Sequence, residues 1–210
     1  ANVGKVNFGS SFISYFSMIA SLGITTYGIR ECSAVRDDKE KLSKKSSEIF
    51  SINICTTIVS YILLALSLII FRQLNSYRIL IIIQSMSILF TTLGTDWLNT
   101  AMEDFRYITI RTIIFQLISL ILMFIFVRSE SDYLKYAIIS VISASGANVV
   151  NIFYRKKFCK VRFITDIQWR KHFKPIMLLF VMILAQTIFS SADVTMLGIM
   201  RSDYEVGIYS

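Results

Sequence analysis

The residues best placed to do chemistry in this sequence are charged and amide side chains set inside long apolar runs. Asp193 follows a charge-free stretch from Pro175 to Ala192 and shares a helical face with Gln186 and Ser190, at steps of four and three. A charge at the middle of a membrane helix costs about 2.5–3.5 kcal/mol on insertion scales and is normally turned inward. Such an aspartate pairs with a neighbouring helix, reaches the interface, or serves as a cation or proton site or a contact in a substrate path. Asp96 and Arg111 stand near the ends of two adjacent apolar runs joined by a short loop, so a salt bridge within that hairpin is expected. Asn148 and Asn151 cost less to bury and are expected to hydrogen-bond between helices.

A second pattern is weakly polar. Ser10, Ser14, Ser17, Ser21, Thr25 and Gly28 recur at steps of four, three, four, four and three, which stacks them on one face of one helix. Small side chains let backbones approach closely in lipid, so this stripe is a packing face, or else the wall of a hydrated cavity whose hydroxyls meet sugar or phosphate. Asn53, Thr57 and Ser60 form a weaker version further along. No HExxH, no CxxC and no phosphate-binding glycine loop is present, so no catalytic site, metal or cofactor is expected. The lone His172 lies in a basic stretch and is expected at a solvated surface, and Cys32, Cys55 and Cys159 imply no disulfide framework.

The elements that must position these residues follow from where charge is missing. The 210 residues are 54% hydrophobic and only 17% charged, with a mean hydropathy of +0.60. An ordinary soluble domain carries about 25% charge, so this chain has too little polar residue for a solvated shell. Charge-free runs extend over 6–29, 49–71, 79–95, 112–127, 136–154 and 175–192. About 20 apolar residues cross a bilayer core as a helix, which predicts spans near 7–29, 49–71, 79–100, 107–127, 134–154 and 175–199. Membrane strands are about 10 residues long and alternate polar with apolar, unlike these runs. The fold class is therefore an all-α integral membrane protein, a bundle of about six transmembrane helices.

Sixteen of the 22 Lys and Arg fall in one set of loops, within 30–45, 106–111 and 155–174, which places those loops in the cytoplasm. The net charge of +8 is confined to such short stretches, so the lipid bilayer and not nucleic acid is the expected partner. Residues 155–174 interleave basic and aromatic side chains and form either an amphipathic helix on the inner leaflet or a linker between bundles. Trp97, Tyr107, Tyr133 and Trp169 are expected as interfacial anchors. Opening without a Met and stopping just after a span, the chain is expected to be part of a longer protein.

Four stretches carry a family resemblance. VGKVNFGSSFISYFSMIASLGITTYGIRE, TDWLNTAMEDFRYITIR, RKHFKP and ADVTMLGIMRSDYEVGIYS resemble, in that order, segments of Wzx-type oligosaccharide flippases, of the exporter superfamily that includes the multidrug exporters. The resemblance implies part of a two-lobed exporter of 12 to 14 helices: an N-terminal lobe over 1–154, a basic cytoplasmic linker over 155–174 and the start of a second lobe over 175–210. It implies a multi-pass transporter, not an enzyme, in the bacterial cytoplasmic membrane. The implied partner is an undecaprenyl-diphosphate-linked oligosaccharide, flipped by alternating access for O-antigen or capsule export, with a polysaccharide polymerase acting beyond it. On that pattern Arg111 could attract the pyrophosphate and Asp193 could couple transport to Na+ or H+. A cation-coupled multidrug exporter shares the topology but not the signatures near 28 and 198. A membrane-embedded glycosyl or acyl transferase would need a cluster of His, Asp or Glu at one membrane face, and the sequence has none.

Overall fold

The charge-free runs all become helices. In a computed structural model of the chain, the backbone is described for residues 2–71, 74, 77–129 and 132–200, and the side chains among these except at 2–5, 7, 8 and 187–200. The order is α1 (Asn2–Ser21), α2 (Ile24–Ser33), α3 (Lys39–Ile70), α4 (Arg78–Gly94), α5 (Asp96–Ala101), α6 (Phe105–Phe126), α7 (Tyr133–Tyr154), a 3-10 turn (Arg155–Lys157) and α8 (Trp169–Met200). The described residues contain no strand. Segments 9–33, 39–70, 78–101, 105–126 and 133–157 are long and apolar enough to cross a membrane. The sixth expected span falls within α8.

Two spans expected as single helices are broken. The first breaks at Leu22 and Gly23, both left-handed at φ 40 and 73. Gly23 fits because a Cβ there would lie 3.1 Å from the backbone nitrogen of Phe180, where α8 crosses. The stripe from Ser10 to Gly28 is therefore shared between two helices. The third breaks at Thr95, again left-handed, between α4 and α5. Carbonyls freed at such breaks need donors in a membrane. Ala20 O receives Asn53 Nδ2 at 3.0 Å and Thr56 Oγ1 at 2.6 Å, and Leu93 O receives the Arg155 guanidinium at 2.9 Å.

α3 begins at Asp38, whose carboxylate accepts the backbone N–H groups of Glu40 and Lys41 at 3.1 Å each. Its 32 residues make a rod of roughly 48 Å, longer than the bilayer core, so its first turns stand clear of the apolar layer. α7 packs between α4 and α6, α1 lies on α3 and α4, and α2 lies on α5. Glycines make these approaches possible: Gly94 lies against the Cα of Asn148, and Gly146 against the Phe115 ring. α6 is the lipid-facing edge, since only 11% of its apolar window is buried.

The linker departs from one expectation. Residues 158–168 are irregular rather than an amphipathic helix. Backbone N–H groups of Lys160, Arg162 and Ile164 donate to the hydroxyls of Ser43, Ser47 and Ser51 at 3.3, 3.1 and 2.8 Å. Two residues of extended chain advance about 6.6 Å and four residues of helix about 6.0 Å, so alternate N–H groups match a serine on every fourth helical position. That ladder holds the linker extended along the basic end of α3. This is the end that the positive-inside bias predicts to be cytoplasmic.

Candidate substrate groove

Two connected recesses run along α1 and α2. The larger, of about 300 Å³, is walled by Ser17, Ser21 and Thr25 from α1 and α2, Asn53 from α3, Thr91 and Thr92 from α4, Asp96, Trp97 and Thr100 from α5, and Asn148 from α7. The second, of about 290 Å³, continues past Ser10, Ser14, Gln84, Ser87 and Ser140, and shares Ser17 and Ala144 with the first. Five members of the small-residue stripe therefore line a hydroxyl-rich groove. Gly28 does not line it: it lies under the Trp97 ring, 2.8 Å from where its Cβ would stand. Trp97, expected as an interfacial anchor, is instead 4% exposed because Gly28 leaves a slot for the indole.

The floor of the larger recess is a polar network. Arg111 donates to Asp96 Oδ1 at 2.5 Å, the salt bridge expected within the hairpin. Asn151 Nδ2 and Asn99 Nδ2 reach the same oxygen at 3.3 Å, and Asn151 also reaches Asn148 Oδ1 at 3.3 Å. Tyr107 OH donates to Asn151 Oδ1 at 3.0 Å, and Asn148 Nδ2 reaches Thr91 Oγ1 at 3.5 Å. The carboxylate is 42% exposed, whereas the Arg111 side chain is 7% exposed and stacks near the Tyr107 ring. Arg111 thus lies behind Asp96 and is not among the residues that wall either recess. Between apolar stretches at Ile13, Ala20, Ile88 and Val141 the groove presents hydroxyls, amides and one carboxylate already neutralised from behind. Such a surface suits a ligand with many hydroxyls, which donate and accept alike.

The Asn53, Thr57 and Ser60 face acts mainly as glue: Thr57 bonds Thr92 at 2.7 Å, and Ser60 donates to Phe16 O at 2.6 Å. Gln84, overlooked in the sequence, ties α4 to α1 through Val6 O at 3.0 Å and Ser10 Oγ at 2.9 Å. Gln186 is exposed on α8. The side chains of Ser190 and Asp193 lie outside the described residues, so the expected Gln186, Ser190 and Asp193 face does too.

His172 is a correction. It is 1% exposed, with Nδ1 at 2.8 Å from the Tyr27 hydroxyl and Nε2 at 3.1 Å from Glu48 Oε2. Neither partner is near it in sequence, and only the position of Glu48 at the edge of an apolar run could have marked it.

Residues 1–210, the whole chain, match the profile of the polysaccharide biosynthesis protein family. The chain belongs to that family. No curated protein and no solved structure matches it. Membership of that family points to a role in polysaccharide synthesis or export, and hydroxyls lining a groove among helices long and apolar enough to cross a membrane are a matching chemistry.

Proposed function

We propose that this polysaccharide biosynthesis protein is a Wzx-type flippase, moving polyprenyl-diphosphate-linked oligosaccharide units across the bacterial cytoplasmic membrane. The observation that supports this reading most directly is the groove itself: a row of hydroxyl and amide side chains set among apolar ones, along helices long and apolar enough to cross a membrane. A sugar can trade its water for the hydroxyls of Ser17, Thr25 and Thr91 while its lipid tail stays in the bilayer. Residues 1–154 form one lobe, and α8 opens a second across the 155–174 linker. Rocking of the two lobes exposes the groove to each side in turn. Coupling to Na+ or H+ through Asp193, and hand-over to a polysaccharide polymerase, belong to the same proposal.

The test is glycan export in a strain that lacks its own flippase. Expression of the protein restores surface glycan if the reading is right. Export of cationic drugs without any restored glycan, over several repeat-unit types, would move the protein to the multidrug branch of the superfamily.

A further inference from the structure

The basic end of the bundle holds a cleft that the groove does not use. It measures about 700 Å³ and lies between the first turns of α3 and the linker that follows α7. The serine ladder determines its shape. With the N–H groups of Lys160, Arg162 and Ile164 pinned to α3, these alternate residues share one side of an extended chain and face the cleft together. Lys39 and Lys44 meet them from α3, and Lys156 and Lys157 from the 3-10 turn after α7.

Six cations therefore border one volume against a single carboxylate, Glu40. Lys157 has a counter-ion in Asp104 at 3.5 Å. Among the described residues, no carboxylate lies within ion-pair distance of Lys39, Lys44, Lys156, Lys160 or Arg162. Like charges on two pinned backbones repel, and neither backbone can move to relieve them without breaking the ladder. An anion seated between them removes that repulsion.

The position says which anion. The cationic part of α3 ends just before the charge-free run that starts at Ile49, so the cleft lies at the rim of the apolar layer. Phe163, 55% exposed, lies on the opposite side of the extended chain from Arg162 and Ile164, and Phe153 and Trp169, before and after it in sequence, are exposed too. Exposed aromatics interleaved with cations at that depth are the make-up of a surface that meets lipid headgroups. We propose that this cleft binds the phosphate of an anionic phospholipid headgroup in the cytoplasmic leaflet. The site is independent of the glycan groove and of what the groove carries.

Native mass spectrometry of the purified full-length protein tests it, with phosphatidylglycerol, phosphatidylcholine and soluble glycerol phosphate as probes. Phosphatidylglycerol should be retained in preference to phosphatidylcholine, and its retention should fall with salt. It should drop about tenfold in a Lys160→Gln/Arg162→Gln variant and, independently, in Lys39→Gln/Lys44→Gln. Both leave the backbone ladder intact, and an unchanged melting temperature verifies this. Arg170→Gln/Lys171→Gln, basic but outside the cleft, should bind like the wild type. Wild-type retention in both cleft variants overturns the proposal. So does glycerol phosphate that binds as tightly as the lipid, which would make the site one for soluble phosphate.

Discussion

His172 Nε2 lies 3.1 Å from Glu48 Oε2 while Nδ1 lies 2.8 Å from the Tyr27 hydroxyl, so one imidazole ties α8 to both α3 and α2. All three side chains are buried. Replacing His172 by Ala leaves the Glu48 carboxylate buried without its partner, at a cost of roughly 1–3 kcal/mol. Thermal unfolding of the purified protein should show a lower Tm for His172→Ala and a smaller drop for His172→Gln, which keeps a donor. A wild-type Tm in His172→Ala would show that α8 is held elsewhere.

The Arg111–Asp96 pair is half open to solvent, which limits its contribution. Its carboxylate is 42% exposed, so the penalty for Arg111→Ala lies below the several kcal/mol of a fully buried pair. A double-mutant cycle with Asp96→Asn should give a coupling energy of about 1 kcal/mol. Because Arg111 lies behind the groove, Arg111→Ala should impair transport mainly through loss of Asp96 positioning, and Asp96→Asn should rescue part of that loss.

Gly28 of α2 lies directly against the Trp97 ring of α5. A methyl at 28 would stand 2.8 Å from two ring carbons, so Gly28→Ala forces the indole to move at about 1–3 kcal/mol. Combining it with Trp97→Phe, which frees space, should recover part of the lost Tm. Additive losses would place the strain somewhere other than this contact.

Acid should loosen the turn before α6. The Tyr154 hydroxyl donates to Asp104 Oδ2 at 2.6 Å and holds the carboxyl below its usual value, helped by the Tyr107 N–H and the Lys157 ammonium. A depressed carboxylate stabilises above its unfolded value, about 3.9, and loses that stabilisation as pH falls through the folded one. Tyr154→Phe should therefore flatten the pH dependence of Tm in the acid range, with little change in its slope near pH 7. An identical acid limb in wild type and variant would assign the pH dependence to other groups.

Much of this was legible beforehand because apolar length and charge placement are local properties. The runs at 49–71 and 112–127 end within a residue of the C-termini of α3 and α6, although both helices begin well before their runs, and the Asp96–Arg111 bridge followed from a short loop. The failures each needed a partner distant in sequence. The break at Gly23 answers to the backbone of Phe180, and Trp97 is buried because Gly28 leaves it a slot. His172 meets a glutamate 124 residues away. The linker between 158 and 168 has an amphipathic composition, yet serines spaced by four on α3 capture its backbone first. The groove was half legible: the stripe from Ser10 to Thr25 marked one wall, whereas Thr91, Thr92 and Gln84 carried no pattern that set them apart.

The central claim is that sugar passes along the groove at Ser17 and Thr91, and reconstituted transport tests it most directly. Purified protein in proteoliposomes would be loaded with a lipid-linked oligosaccharide, and the glycan reaching the opposite leaflet would be followed by its cleavage with an added glycosidase. Wild-type protein should accelerate exposure of the glycan, and Ser17→Leu/Thr91→Leu, which fills the groove with apolar bulk, should slow it at least tenfold at an unchanged Tm. Transport by the filled variant at the wild-type rate, or no acceleration by the wild type with any glycan tried, would contradict the account.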